Sequence, residues 1–437
     1  MSANPFAASG KNRRERRTGR GLAMAMAVLA GCTICNVAHA GDPPSIAIGP
    51  AGIDFYNPPE APKDARHGDL IWVREITSGA PGSTAWKLLY WSTTADNQLV
   101  PVSALAVVPD SPAPPHGRPI VSWAHGTSGV PRNCAPSMVD NPARDATFYF
   151  MPNSPASYDF GIPGLTGMIA AGYVVVATDY NGLGAPGIHH YLIGPTEARN
   201  VLDASVAVRH LRQAGAGENV VAIGWSQGGQ AAIWSGQMAD YVAGSAKLVG
   251  AVALAPVNAL EQTKVFDSVI ASGKKLPPMS FAERAMAWYA MTIAYPELKF
   301  SDVMTPVGEA VFAEAAKAGQ CNHHMGDTFA YAQGYRGAMG RPDPANQDAW
   351  LARIKENALG FLAAQVPVAV YQGKEDVAVA PAATEAYVKL ACAMGAVISF
   401  TEYDGVDHIR LSAKATPEFL SWIAQRFAGK PAARTCE

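Results

Sequence analysis

An α/β fold built on a largely parallel sheet is what the sequence predicts, on three observations. Short apolar, β-branched runs alternate with helical stretches along most of the 437 residues. Several of those runs are apolar at consecutive positions, as in strands buried on both faces. One of them leads directly into a Gly-x-Ser-x-Gly turn and then a helix. With 49% hydrophobic and 16% charged residues, the chain has too much apolar surface to remain disordered.

Taken in order, Leu70 to Ile76, Trp86 to Tyr90 and Val100 to Val108 read as leading strands, expected to be antiparallel. Pro119 to Ala124, Tyr173 to Thr178, Val220 to Ile223, Leu248 to Ala255 and Val366 to Gln372 are the continuous apolar runs of a buried parallel sheet. Between them, Thr196 to Ala214 is expected to be helical because Leu202, Val206, Val208 and Leu211 recur near a 3.6-residue period, and Gln227 to Tyr241 forms a second helix. From about Glu261 to Phe361, roughly a hundred residues separate two core strands, too many for a crossover. Helical candidates such as Phe281 to Tyr295 make this stretch an inserted helical lid. Within it Met286, Trp288, Tyr289 and Met291 are read first as packing residues and second as the lining of an acyl pocket.

The formal net charge of −2 joins two segments of opposite character. The cationic stretch Lys11 to Arg20, the apolar run Leu22 to Ile34 and Ala38-His39-Ala40 before Gly41 have the order of a cleaved secretory signal over residues 1–40. A membrane anchor is the competing reading, but the apolar run is short for a span of ~20 residues. Leu29-Ala30-Gly31-Cys32 adds a lipobox-like alternative, with a lipid anchor at Cys32. The pairs Arg13-Arg14 and Arg16-Arg17 leave the export route open. Removal of residues 1–40 leaves 28 basic against 35 acidic residues, about −7. A secreted or periplasmic protein without a nucleic-acid surface is expected, since no Lys/Arg cluster follows residue 41. Cys134, Cys321, Cys392 and Cys436 remain, and an oxidising compartment favours bridging them in one of three pairings.

Gly224-Trp225-Ser226-Gln227-Gly228 has the spacing of a nucleophile elbow. Roughly 0.2 such matches arise by chance in a chain of this composition, so the strand before it and the helix after it carry the assignment. Ser226 is then the nucleophile, and in this fold an acid and a histidine follow it along the chain. Of His323, His324 and His408, only His408 follows a core strand, the run Ala396 to Phe400, and it is taken as the general base. Glu375 and Asp376 compete as the acid in Gly373-Lys374-Glu375-Asp376; Asp376 is preferred, and Asp404 and Asp407 are set aside. Two backbone amides should stabilise an oxyanion, those of Gln227 and Thr127, with Gly126 and Ser128 as alternatives to Thr127. His125 is expected to be a packed, hydrogen-bonded residue.

These residues resemble the secretory lipases of the fungal lipase-A type and their bacterial relatives, within the α/β hydrolases. The resemblance rests on Ser122-Trp123-Ala124-His125-Gly126-Thr127-Ser128-Gly129, Cys134-Ala135-Pro136-Ser137, Asp179-Tyr180-Asn181-Gly182-Leu183-Gly184, the Ser226 elbow, the Gly373–Asp376 loop and His408. It implies one α/β-hydrolase domain over residues 41–437 with the lid at about 261–361, bridges resembling Cys134 with Cys321 and Cys392 with Cys436, and a structural role for Asp179. It also implies an exported ester hydrolase acting on acylglycerols or other esters, a monomer in transient contact with a lipid interface. The Ser226-His408-Asp376 chemistry needs no metal or organic cofactor. A serine aminopeptidase or prolyl peptidase, an acyltransferase and a non-catalytic binding module are the rival readings.

Overall fold

The computed structural model describes residues 46–139, 141–145, 161–272 and 278–436. The expected leader at residues 1–40, with Cys32, lies outside them. Ile46–Glu437 form one compact unit. No helix among the described residues is long and apolar enough to cross a membrane.

Among the described residues nine strands make one sheet: β1 (Leu70–Ile76), β2 (Ser83–Thr93), β3 (Leu99–Pro109), β4 (Arg118–Ala124), β5 (Val174–Thr178), β6 (Ala216–Trp225), β7 (Lys247–Leu254), β8 (Val368–Gly373) and β9 (Ile398–Tyr403). Their order is β1-β2-β3-β5-β4-β6-β7-β8-β9. The three leading strands pair antiparallel, β3 pairs antiparallel with β5, and every later pairing is parallel. β5 is buried at all five positions, as its unbroken apolar run requires. β2 and β6 run several residues beyond their apolar cores, because ladder hydrogen bonds carry polar residues such as Ser83 and Glu218 into the strand. Pro119, which has no N–H to donate, stands where the β4–β6 register shifts between Arg118 and Ile120.

The helices are α1 (Pro142–Asp145), α2 (Leu165–Ala170), α3 (Gly194–His210), α4 (Gln227–Gln237), α5 (Ala259–Ala271), α6 (Pro278–Ala294), α7 (Pro306–Lys317), α8 (Asn322–Tyr335), α9 (Gln347–Asn357), α10 (Pro381–Ala393) and α11 (Arg410–Phe427). On α3 the periodic Leu202, Val206 and Val208, with Leu211 at its C-cap, are all buried in the main core. The helix is buried beyond that stripe as well, with Glu197, Asn200 and Asp203 fully enclosed. Each of these polar side chains is hydrogen-bonded: Asp203 accepts from Ser92 at 2.7 Å and from Tyr241 at 3.0 Å, and meets His67 Nδ1 at 2.7 Å. α4 ends at Gln237, a short 3₁₀ turn continuing over Ala239–Val242.

Helices α5 to α9 fill the gap between β7 and β8, so the insertion begins slightly before Glu261. It has its own core of Met286, Met291, Phe312, Met325, Phe329 and Trp350 among others, which also takes in Tyr191 and Ile193 from the loop before α3.

Candidate active site

The carboxyl ends of β4, β6, β8 and β9 carry the residues the sequence singles out, and the ladder sets them level. Ala124 pairs with Gly224, and Gly373 with Tyr403. Ser226 follows β6 directly and is the N-cap of α4, at φ 59° and ψ −118°. A positive φ costs a non-glycine residue ~1–3 kcal/mol and persists only where its surroundings enforce it. Here the Ser226 N–H donates to Leu254 O at 2.9 Å, while its carbonyl accepts from Gln230 N and Val257 N, each at 3.2 Å. Two glycines make the turn sterically possible. A Cβ on Gly224 would lie 2.1 Å from Gly228 O, and one on Gly228 would lie 1.9 Å from Ala124 O.

His408 Nδ1 lies 2.7 Å from Asp376 Oδ2. Asp376 is buried and its other oxygen accepts from the amides of Ala378 at 2.9 Å and Val379 at 2.7 Å, while Gln372 Nε2 donates to Oδ2 at 3.1 Å. The carboxylate therefore has a fixed direction before it meets the imidazole. Glu375 is exposed. Asp404 pairs with Lys374 and Asp407 with Arg410, which accounts for both nearby acids. Trp225, the variable residue of the elbow motif, donates Nε1 to His408 O at 3.1 Å and lays its ring 4.6 Å from the imidazole. The same indole leaves no room for a side chain at Gly126, where a Cβ would come within 2.4 Å of it.

Ser226, His408 and Thr127 line one cavity of about 210 Å³. Thr127 Oγ1 meets Tyr191 OH at 2.8 Å. Gln227, the first residue of α4, has a backbone amide of the kind that finds no acceptor within its own helix. Its side chain donates to Glu197 at 2.6 Å and meets His189 Nε2 at 2.9 Å. Burial pushes Glu197 up to about 8 and His189 down to about 3, in each case toward the neutral form. His125 is packed as expected, its ring 4.6 Å from Tyr180 and its Nδ1 2.6 Å from Gly126 O, with burial pushing it down to about 4. Asp179 braces the neighbouring loop, accepting from Ser103 Oγ and from Ser137 N and Oγ.

The insertion completes the cavity. Trp288 and Met291 line it, together with Met279, Glu283, Arg284 and Ala287 of α6. Met286 instead is buried in the insertion's own core, Tyr289 packs on Phe300 and Phe312, and Met291 belongs to both that core and the cavity wall. Cys134 bridges to Cys321 at the N-cap of α8, and Cys392 to Cys436. Beside the first bridge, Asn322 N donates to Ser128 O at 2.9 Å and Asn322 Nδ2 to Thr127 O at 3.5 Å. Sequence reasoning did not find Trp225, Tyr191, Glu197, Glu283 or Asn322. Trp225 was within reach, since it occupies the motif's variable position, whereas the others meet the site only through tertiary packing. His323 stands at the cavity and is exposed. Among the described residues, no group of three or more His, Cys, Asp or Glu could hold a metal ion.

A family model described as secretory lipase matches residues 162–435. The secreted triacylglycerol lipase LIP7 of Malassezia globosa is 24% identical over 406 residues, covering 88% of this chain and 80% of the relative. Lipase A of Moesziomyces aphidis is 24% identical over 391 residues, covering 86% and 79%. Among solved structures, Candida antarctica lipase A in its closed state superposes with a TM-score of 0.70 at 19% identity over 87% of each chain. The rice cell wall degrading esterase LipA from Xanthomonas oryzae does so with a TM-score of 0.63 at 18% identity, over 83% of this chain and 98% of the other. The architecture is that of the α/β hydrolases.

Proposed function

The chain belongs to the secretory lipase family and is a carboxylic ester hydrolase, and from that premise we propose that it is an exported lipase or carboxylesterase working through an acyl-enzyme on Ser226. The observation that carries this reading is the strained Ser226 in one cavity wall with His408, whose far nitrogen is held 2.7 Å from a buried Asp376.

In the mechanism, His408 Nε2 takes the proton of Ser226 as Oγ attacks the ester carbonyl, and Asp376 keeps the proton on Nδ1 and stabilises the imidazolium. The amides of Gln227 and Thr127 receive the oxyanion, with the positive end of α4 adding to their field. His408 then protonates the departing alcohol, and water, activated by the same nitrogen, releases the acid. The reading extends to a signal at residues 1–40, to helices α5 to α9 as a lid that meets lipid, and to an extracellular or periplasmic enzyme acting as a single chain on acylglycerols or other esters. The family and the two bridges support the secreted placement.

The test is a hydrolysis profile of the protein lacking residues 1–40 across p-nitrophenyl esters of rising chain length and emulsified triacylglycerols. Hydrolysis of long-chain, emulsified substrate is expected. Activity confined to short, soluble esters would make it a carboxylesterase, and faster hydrolysis of aminoacyl amides than of esters would overturn the reading.

A further inference from the structure

One acid in the cavity has no part in that mechanism. Glu283 of α6 lines the same space as Ser226 and His408, among apolar neighbours such as Met279, Ala287, Trp288 and Met291. One of its oxygens accepts from Asn322 Nδ2 at 3.1 Å, and among the described residues no Lys or Arg is paired with it. The adjacent Arg284 lays its guanidinium 4.7 Å from the Trp288 ring. Asn322 has given its Nδ2 to Glu283 and Thr127, and its buried Oδ1 has no hydrogen-bond partner. Glu283 and Asn322 thus place two acceptor oxygens in this part of the cavity lining.

A carboxyl group in an apolar wall is costly unless a donor meets it. Burial raises the Glu283 pKa, and the Asn322 hydrogen bond and then the nearby His408 oppose the rise. In either protonation state a carboxyl oxygen retains a lone pair for a donor, so its role as an acceptor does not depend on the charge. Nothing in a simple acyl chain offers such a donor. A free hydroxyl does.

Resting on the ester-hydrolase reading, we propose that Glu283 is a specificity residue that accepts a hydrogen bond from a free hydroxyl on the substrate, so that the cavity favours hydroxylated esters over their deoxy counterparts. The hydroxyl has two sources, the alcohol portion, as in a partial glyceride, or the acyl portion, as in a hydroxy acid. Sites built to bond a hydroxyl discriminate against its absence far more strongly than apolar pockets discriminate by size.

Two matched pairs distinguish the sources: glycerol monobutyrate against propyl butyrate, and ethyl 3-hydroxybutyrate against ethyl butyrate. For each, kcat/KM is measured with the parent enzyme, Glu283→Gln and Glu283→Leu. In one pair the parent's preference for the hydroxylated ester is expected to fall by about tenfold or more in Glu283→Leu, with partial recovery in Glu283→Gln, which retains an acceptor oxygen. The pair that responds assigns the source. Equal loss on both members of each pair, leaving the ratios unchanged, would show a merely structural role and overturn the proposal. Should the leucine variant not fold, the glutamine variant and its ratio carry the test. Absence of ester hydrolysis in the parent would instead be a failure of the parent reading, which the first profile detects separately.

Discussion

The loops at the carboxyl ends of β4, β6, β8 and β9 and the helical insertion between β7 and β8 line the same cavity, but different forces hold them. The loops inherit their positions from strand register, and each group there is fixed by short, local bonds: Ser226 N to Leu254 O, Asp376 to the amides two and three residues on, Trp225 to His408 O. The insertion is held by its own apolar core and by a few anchors to the rest of the molecule. One is the Cys134–Cys321 bridge with Asn322 beside it, and another is Asn357, whose carbonyl accepts from Gln230 and Trp234 and whose Oδ1 accepts from Gly194 N. The difference separates two tasks. In the proposed mechanism, the groups that move protons sit where the backbone is over-determined, and those that would meet the variable part of a substrate sit on a body attached at discrete points.

If that division is right, damage to the loops should appear as lost turnover and damage to the anchors as lost stability and altered coupling between the two regions. Asp376→Asn should cost on the order of 10⁴ in kcat with little change in melting temperature, because it leaves the imidazole in the wrong tautomer, whereas Glu375→Gln should leave kcat near that of the parent. Steady-state kinetics on a soluble ester distinguish the two.

The bridges come next. They close sequence separations of 187 and 44 residues, for which chain entropy allows roughly 5 and roughly 4 kcal/mol. Cys134→Ser with Cys321→Ser should lower both stability and kcat, since the bridge holds Asn322 against the Thr127–Ser128 loop. Cys392→Ser with Cys436→Ser should lower stability alone. Urea unfolding and kinetics on the same preparations test this, and an equal fall in kcat for both pairs would erase the distinction between the anchors.

The smallest effect concerns Glu197 behind Gln227. Its folded pKa of about 8 lies above the ordinary 4.5, so the folded state binds this proton more tightly than the unfolded chain. Its contribution to stability is complete below about pH 4.5 and is lost as pH rises to about 8. Glu197→Gln should remove that loss, making the variant more stable than the parent at pH 9 by up to a few kcal/mol in urea melts.

How much of this was legible in the sequence follows the same division. Strands buried on both faces announce themselves, as β5 does with four consecutive apolar residues before Thr178, and Gly224 and Gly228 mark a turn that no side chain would fit. Its place after the run Ala396 to Phe400, outside the inserted stretch, separated His408 from His323. The choice of Asp376 over Glu375 rested on position in a loop, and burial of one with exposure of the other gives that choice its physical basis. The insertion was legible as a length and as the helix around Phe281 to Tyr295, but not in how its faces divide. Its Met286 and Trp288 are both apolar and helical, yet one faces a core and the other a cavity, a difference set by which helices pack against α6. Likewise the burial of Glu197 was not legible, because periodicity reports one buried stripe and α3 is buried on several sides.

The central claim is that Ser226 is the activated nucleophile. Treatment of the folded protein with a fluorophosphonate probe, followed by peptide mass spectrometry, tests it most directly. A single stoichiometric adduct on the Gly224–Gly228 segment is expected, absent in Ser226→Ala. Full labelling of Ser226→Ala, or an adduct on another serine, would contradict the account.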